Sequence, residues 1–165
     1  MKLSARIITH HAVLIAVSLV LSLLDAQFPI PVPGVKLGLA NVVTLFSIHT
    51  LSPISAASIL FCRCILASIF GGGVSSLLFS LCGGACAFCI MLIFKRFRFL
   101  TIYGVSIAGA AAHGVGQIII ACFLFSSFAA VSYLPFLLFA APLTGAVCAF
   151  ISDILISRLG NMFKN

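Results

Sequence analysis

Long apolar runs without charged side chains constrain this sequence more than any other feature. The run 74–94, for example, contains no Asp, Glu, Lys or Arg. In hydrocarbon every backbone N–H and C=O must be paired within the protein, which leaves helices or a closed β-barrel as the structures that can cross a bilayer. The runs are continuous and do not alternate between polar and apolar residues, a pattern that favours helices. The sequence therefore predicts an all-α membrane protein.

Composition agrees with lipid as the main solvent of this chain. Apolar residues make up 63% of the 165 residues, charged residues make up 7%, and the mean hydropathy is +1.35. Soluble domains carry about 25% charged residues. The acidic residues are Asp25 and Asp153, and the chain has no Glu. Although Lys2 and Arg6 precede the first apolar run, Asp25-Ala26-Gln27 is a poor cleavage site, so we expect a retained first helix and not a signal peptide.

The apolar runs predict a bundle of six transmembrane helices forming a single domain over residues 1–165. They lie at about 7–24, 38–51, 54–70, 74–94, 101–126 and 132–156. A spanning helix needs roughly 20 residues, so the second run is short. Because Ser52-Pro53 separates it from the third run, the two could form a tight helical hairpin or a partly re-entrant segment. Five spans are the alternative.

The distribution of basic residues predicts the orientation. They cluster before the first run, after the fourth and after the sixth, at Lys2, Arg6, Lys95, Arg96, Arg98, Arg158 and Lys164. An even number of crossings places all three clusters on one side, and Lys and Arg accumulate in cytoplasmic loops. We therefore expect both termini to be cytoplasmic. The net charge of +7 is then an orientation signal and does not indicate nucleic-acid binding.

The few polar residues within or beside the spans are the candidate binding residues. Arg63 lies in the middle of the third run, where a charge is costly and usually faces a partner or a polar cavity. His113 and Gln117 are four residues apart and point the same way on a helix. The predicted substrate-binding set is Lys36, Asn41, Arg63, His113 and Gln117. The alternative is that these side chains only hydrogen-bond neighbouring helices.

Other patterns carry weaker predictions. Ala12 and Ala16 form a small-xxx-small pair that creates a shallow groove on the first helix, or simply packs inside the bundle. The Gly71-Gly72-Gly73 triplet favours a turn over a ligand loop. Pro29, Pro31 and Pro33 predict a stiff extended loop. We expect no metal site, because Cys82, Cys86 and Cys89 share a helix face but have no nearby charge to favour thiolates, and we expect no cofactor.

Three sequence blocks resemble one known family. They are Pro33-Gly34-Val35-Lys36-Leu37-Gly38-Leu39-Ala40-Asn41-Val42-Val43-Thr44-Leu45, Phe70-Gly71-Gly72-Gly73-Val74-Ser75-Ser76 and Ala112-His113-Gly114-Val115-Gly116-Gln117. In order and spacing they are similar to the Gx transporter family, also labelled heptaprenyl diphosphate synthase component I. That family resembles the S components of energy-coupling factor (ECF) transporters, which capture micronutrients from outside.

The resemblance implies a bacterial plasma (inner) membrane protein that works with a coupling transmembrane subunit and ATPase subunits. Ala12 and Ala16 would contact the coupling subunit, and the Pro-rich segment ending at Lys36 would close over a vitamin-like, isoprenoid or quinone-related ligand. Lys36 and Arg63 indicate an anionic or strongly dipolar ligand.

The synthase label suggests a rival function as an accessory membrane subunit of a polyprenyl diphosphate synthase. Prenyl transfer needs paired acidic motifs that hold magnesium, and two Asp residues near opposite faces of the membrane cannot supply them, so we expect no enzymatic activity from this chain alone. A small secondary transporter that works without ATPase subunits is a further alternative.

Overall fold

A computed structural model describes residues 5–28 and 36–163, and over these ranges the chain is helical with no strand. The helices are α1 (Ala5–Asp25), α2 (Asn41–Thr50), α3 (Pro53–Ala67), α4 (Gly73–Phe94), α5 (Ile102–Phe125) and α6 (Leu134–Phe163). The predicted all-α class is confirmed. The predicted Pro29–Pro33 loop, Lys2 and Lys164 lie outside the described residues.

Five of these helices are long and apolar enough to cross a membrane, and α2 is the exception. Its 10 residues extend about 15 Å, roughly half of a 30 Å hydrocarbon core. The predicted count of six transmembrane helices is therefore not confirmed, and the structure supports a multi-pass protein with five candidate spans.

Helix α2 is short because both of its ends are fixed by local backbone chemistry. Gly38, just before it, has a φ of +90°, a conformation that favours glycine. After it, the Ser52 side chain caps α3 and Pro53 occupies the first turn of that helix. All residues of α2 except His49 are buried. It is thus an interior helix that the longer helices surround.

Helices α4, α5 and α6 pack in sequence order, and glycines bring them close together. A Cβ atom at Gly116 would lie 2.8 Å from the Cys82 carbonyl oxygen on α4, and one at Gly145 would lie 2.6 Å from the Ile107 Cα on α5. Helix α1 packs mainly on α3, on the other side of the bundle. Close backbone approach at small residues is a common way to hold membrane helices together.

The start of α1 and the ends of α2, α4 and α6 meet at one end of the bundle. The Phe163 ring lies 4.4 Å from the His10 ring and 5.4 Å from the Phe46 ring. The Lys95 ammonium donates to the Ile48 carbonyl oxygen at 2.6 Å. We call this the basic end, because it carries Lys95 and the neighbouring Arg96 and Arg98.

Two connections between the long helices contain short helical elements. A π-helical turn, Ser68–Gly72, joins α3 to α4, and Gly73 begins α4 with a φ of +62°. A short 3-10 helix, Phe128–Tyr133, precedes α6. Helix α6 continues to Phe163, beyond the expected end near residue 156, and includes Pro142.

Candidate functional site

The five predicted binding residues lie together in the interior of the bundle. Asn41, Arg63, His113 and Gln117 are each no more than 4% exposed, and Lys36 is half-buried. They come from four parts of the chain: the segment before α2, α2 itself, α3 and α5. We call this set, together with the serines that contact it, the polar cluster.

His113 and Gln117 form one wall of the polar cluster. The Gln117 Nε2 amide donates to the His113 Nε2 atom at 3.1 Å, one helical turn away. Gly83 of α4 packs directly against both: a Cβ atom there would lie 2.9 Å from His113 Cε1 and 3.0 Å from Gln117 Cγ. Glycine on α4 is therefore what allows α5 to bring these two side chains into the interior.

Asn41 lies next to His113 across the segment that leads into α2. A Cβ atom at Gly38 would lie 2.9 Å from Asn41 Nδ2 and 3.1 Å from His113 Cδ2. Gly38 thus serves twice, because it adopts the left-handed backbone and leaves room for both polar side chains.

Arg63 reaches the cluster from α3 and is anchored by α1. Its Nη1 atom donates to the Ser22 hydroxyl oxygen at 2.8 Å. Within the described part of the chain its Nε and Nη2 atoms are buried without a hydrogen-bond partner. Gly84 of α4 lies beside it, since a Cβ atom there would be 3.4 Å from Nη2.

Lys36 supplies a second cation. Its ammonium donates to the Ser76 hydroxyl at 2.8 Å and to the Ser80 hydroxyl at 3.5 Å, both on α4. The next residue, Leu37, donates its backbone N–H to the Asp25 carboxylate at 3.1 Å, so Lys36 is mounted beside a buried carboxylate.

Asp25 forms a clasp between α1 and the segment before α2. It is 2% exposed, and its carboxylate accepts from the backbone N–H groups of Leu37, Gly38 and Leu39 at 3.1, 2.7 and 3.1 Å. We call these three bonds the Asp25 clasp. It fixes the backbone on which Lys36 and Asn41 are mounted. Sequence analysis did not identify this role of Asp25, because a sequence does not show which backbone N–H groups a carboxylate will contact.

Several polar atoms of the cluster have no partner within the described residues. They include Asn41 Nδ2 and Oδ1, Arg63 Nε and Nη2, and Gln117 Oε1. A cavity of about 10 Å³, close to the space that one water molecule needs, is lined by two members of the cluster, Lys36 and His113, and by Thr144 of α6. The arrangement can donate and accept several hydrogen bonds to a small polar molecule, provided that the surrounding segments move to admit it.

Ala12 and Ala16 lie apart from the cluster, on an exposed face of α1. The seven cysteines are unpaired, and the described residues contain no group of three or more His, Cys, Asp or Glu side chains that could hold a metal ion. Sequence reasoning did not identify Ser22, Ser76, Ser80, Gly83 or Gly84 as members of the site.

Comparison with known families identifies the family of this chain. Residues 14–155 match the family described as heptaprenyl diphosphate synthase component I, and because the match covers most of the chain, the protein belongs to that family. The family predicted from the three sequence blocks is therefore confirmed. No curated protein and no solved structure matches the chain.

Proposed function

We propose that this member of the heptaprenyl diphosphate synthase component I family is the substrate-binding membrane subunit of an ECF-type importer. It resides in the bacterial plasma membrane with both termini in the cytoplasm, and it binds a vitamin-like or isoprenoid- or quinone-related small molecule. In this proposal α2 and the segment before it replace a sixth full span, giving an arrangement like that of an S component.

The observation that carries the proposal is the set of buried polar atoms without partners. Each unsatisfied buried polar group costs roughly 1–3 kcal/mol, and a charged group costs more. A network that served only to hold helices together would pair its own donors and acceptors. Arg63, Asn41 and Gln117 leave five such atoms unpaired among the described residues, which a polar ligand would satisfy.

The position of the cluster fits capture from the outside. Ser22 and Asp25 are near the end of α1, and Gly38 and Asn41 are at the start of α2, whereas the basic end holds the start of α1 and the end of α2. If basic residues mark the cytoplasmic side, the cluster lies towards the outer half of the membrane.

Separate subunits would supply energy, since the chain has no phosphate-binding loop. The exposed Ala12 and Ala16 of α1 offer a smooth surface on which a helix of the coupling subunit can pack. That contact would link ligand binding to ATP hydrolysis in the partner subunits.

The rival function is an accessory membrane subunit of a polyprenyl (heptaprenyl) diphosphate synthase, which the family description favours. Catalysis by this chain itself would require paired carboxylates. Here the Asp25 carboxylate is engaged by the Asp25 clasp, and Asp153 is exposed on α6, on the C-terminal half of that helix. In the rival function this chain would therefore bind the prenyl substrate or anchor the synthase at the membrane, and a partner subunit would catalyse prenyl transfer.

Affinity purification in mild detergent separates the two functions. The importer proposal expects an ATPase and a second multi-pass membrane protein in stoichiometric amounts. A soluble prenyltransferase in their place would support the rival. Purification of the double variant Ala12→Leu/Ala16→Leu serves as the control, because it should lose the importer subunits.

A further inference from the structure

The guanidinium of Arg63 is divided into an anchored end and a free edge. The Nη1 atom, which lies on the Cδ side of the group, donates to Ser22. The Nε and Nη2 atoms lie together on the opposite side, and both are buried without a partner among the described residues. These two atoms form one of the planar forks with which arginine binds an oxyanion through two parallel hydrogen bonds.

Acidic side chains within the described bundle do not fill this fork. Asp25 is buried, but its two oxygens accept from three backbone N–H groups. Lys36 adds a second positive charge, which the neutral hydroxyls of Ser76 and Ser80 hold in place. The polar cluster therefore combines two cations with one carboxylate that is already engaged, which favours an anion.

The side of α4 next to the fork is a glycine. At Gly84 a Cβ atom would lie 3.4 Å from Arg63 Nη2 and 2.9 Å from Leu60 Cδ1. Because Gly84 has no side chain, α4 packs close to the buried Nη2 atom without placing a side chain of its own against it. Any larger residue there would compete with a ligand for contact with Nη2.

From this geometry we infer that the ligand carries a carboxylate or phosphate group that binds bidentately to Nε and Nη2 of Arg63, with Ser22 as the positioning residue and Gly84 as the neighbour that places no side chain against Nη2. This inference rests on the proposed function and specifies the chemical class of its ligand. Lys36 contributes the second charge. The remainder of the ligand would contact Asn41, His113 and Gln117.

The test observes the Arg63 Nε–H group directly. The protein is labelled with ¹⁵N-arginine, which marks five arginines, and placed in phosphatidylcholine nanodiscs; the Arg63 signal is identified by its loss in Arg63→Lys. The probes are benzoate, inorganic phosphate and the uncharged benzamide. We expect the Arg63 signal to shift downfield and saturate with benzoate or phosphate but not with benzamide, while the other four signals stay in place.

Two variants sharpen the result. Ser22→Ala keeps the guanidinium but no longer fixes its orientation, so the anion affinity should fall roughly 10- to 150-fold, as expected for one hydrogen bond to a charged group. Gly84→Ala should abolish the downfield shift of the Arg63 signal that the anions cause, whereas Gly104→Ala, at the start of α5, should leave that shift unchanged. If Gly84→Ala does not fold, the Ser22→Ala titration decides.

An Arg63 signal that responds to neither benzoate nor phosphate, or responds equally to benzamide, overturns the inference. A failure of this inference can be distinguished from a failure of the proposed function. If an uncharged compound copurifies with the native protein and the ATPase subunits, the importer proposal stands and only the assignment of an anionic ligand is wrong.

Discussion

Asp25 and Arg63 are both buried charges, but their surroundings satisfy them to different degrees. The Asp25 carboxylate accepts three backbone hydrogen bonds, whereas Arg63 makes one hydrogen bond and leaves Nε and Nη2 without a partner in the described bundle. A buried charge is tolerated when hydrogen bonds or opposite charges offset its desolvation, and a partly satisfied one is costly unless a ligand completes it. We therefore propose a structural role for Asp25 and a binding role for Arg63.

The structural role predicts that Asp25→Asn destabilises the protein. An amide has one acceptor oxygen in place of two, and its NH₂ group would face backbone donors, so at least one charge-assisted bond is lost. The free energy of unfolding, measured in detergent, should fall by roughly 1.5–3 kcal/mol. Asp153→Asn, at an exposed position, is the matched control and should change stability by less than about 0.5 kcal/mol. Equal effects of the two substitutions would contradict the Asp25 clasp.

The principal polar residues of the site could be selected from sequence because apolar spans contain so few. The serines could not, since Ser22, Ser76 and Ser80 resemble the many other serines of this chain until the structure shows what they contact. Gly38, Gly83 and Gly84 were also missed as site residues. Their contribution is empty space beside a polar side chain, and sequence does not show which neighbour would occupy it.

At the scale of elements, the short helix α2 positions the site. It begins in the interior because Gly38 turns the chain with a φ of +90° and the Asp25 clasp holds that turn. Its side chains are almost all buried, so Asn41 at its first residue faces the cluster and not lipid.

Gly38→Ala should therefore destabilise the protein more than Gly73→Ala. Both glycines have positive φ, which costs an alanine roughly 1–3 kcal/mol. A Cβ atom at Gly38 would also collide with Asn41 and His113, whereas one at Gly73 would meet nothing within 4 Å. Overpacking adds roughly 1–3 kcal/mol, which paired unfolding measurements would detect. Equal losses would show that backbone strain alone governs both positions.

The long helices follow from apolar runs, but the irregular elements do not. The sequence predicted helical structure through residue 70, yet α3 ends at Ala67 and a π-helical turn follows. A π-helical turn differs from an α-helix by one residue per turn, and the apolar pattern is continuous across it. Likewise, α6 extends to Phe163 because its last turns pack at the basic end, where Phe163 contacts His10 and Phe46.

Helix α1 is the element through which we expect the chain to contact the coupling subunit. Replacing Ala12 and Ala16 with Leu should add bulk to an exposed face, hold a partner helix away and prevent copurification of the coupling subunit. Ligand retention should stay the same, because neither residue belongs to the polar cluster. Ala85→Leu, also exposed but on α4, is the matched control. Uptake that survives the double substitution would show that coupling occurs elsewhere.

At the scale of the whole molecule, the basic end gives a prediction about topology. Helix α5 starts after the basic segment 95–98 and its 24 residues extend about 36 Å, so the turn that follows it lies at the opposite end. In a variant without the seven native cysteines, we expect Arg98→Cys to be labelled from the cytoplasm and Phe128→Cys, at an 87% exposed position, from outside. Labelling of position 98 from outside would overturn the orientation.

The most direct test of ligand binding is mass spectrometry of the small molecules that copurify with native protein and with its Arg63 variants. We predict a compound that is enriched with the native protein and depleted in Arg63→Gln. The binding free energy of this variant for the compound should weaken by roughly 2–5 kcal/mol. Arg63→Lys should also be depleted, because a point charge lacks the planar fork, whereas Arg158→Gln, at an exposed position, should retain the compound. A compound retained equally by all four monodisperse proteins, or none enriched in any of them, would contradict a ligand site at Arg63.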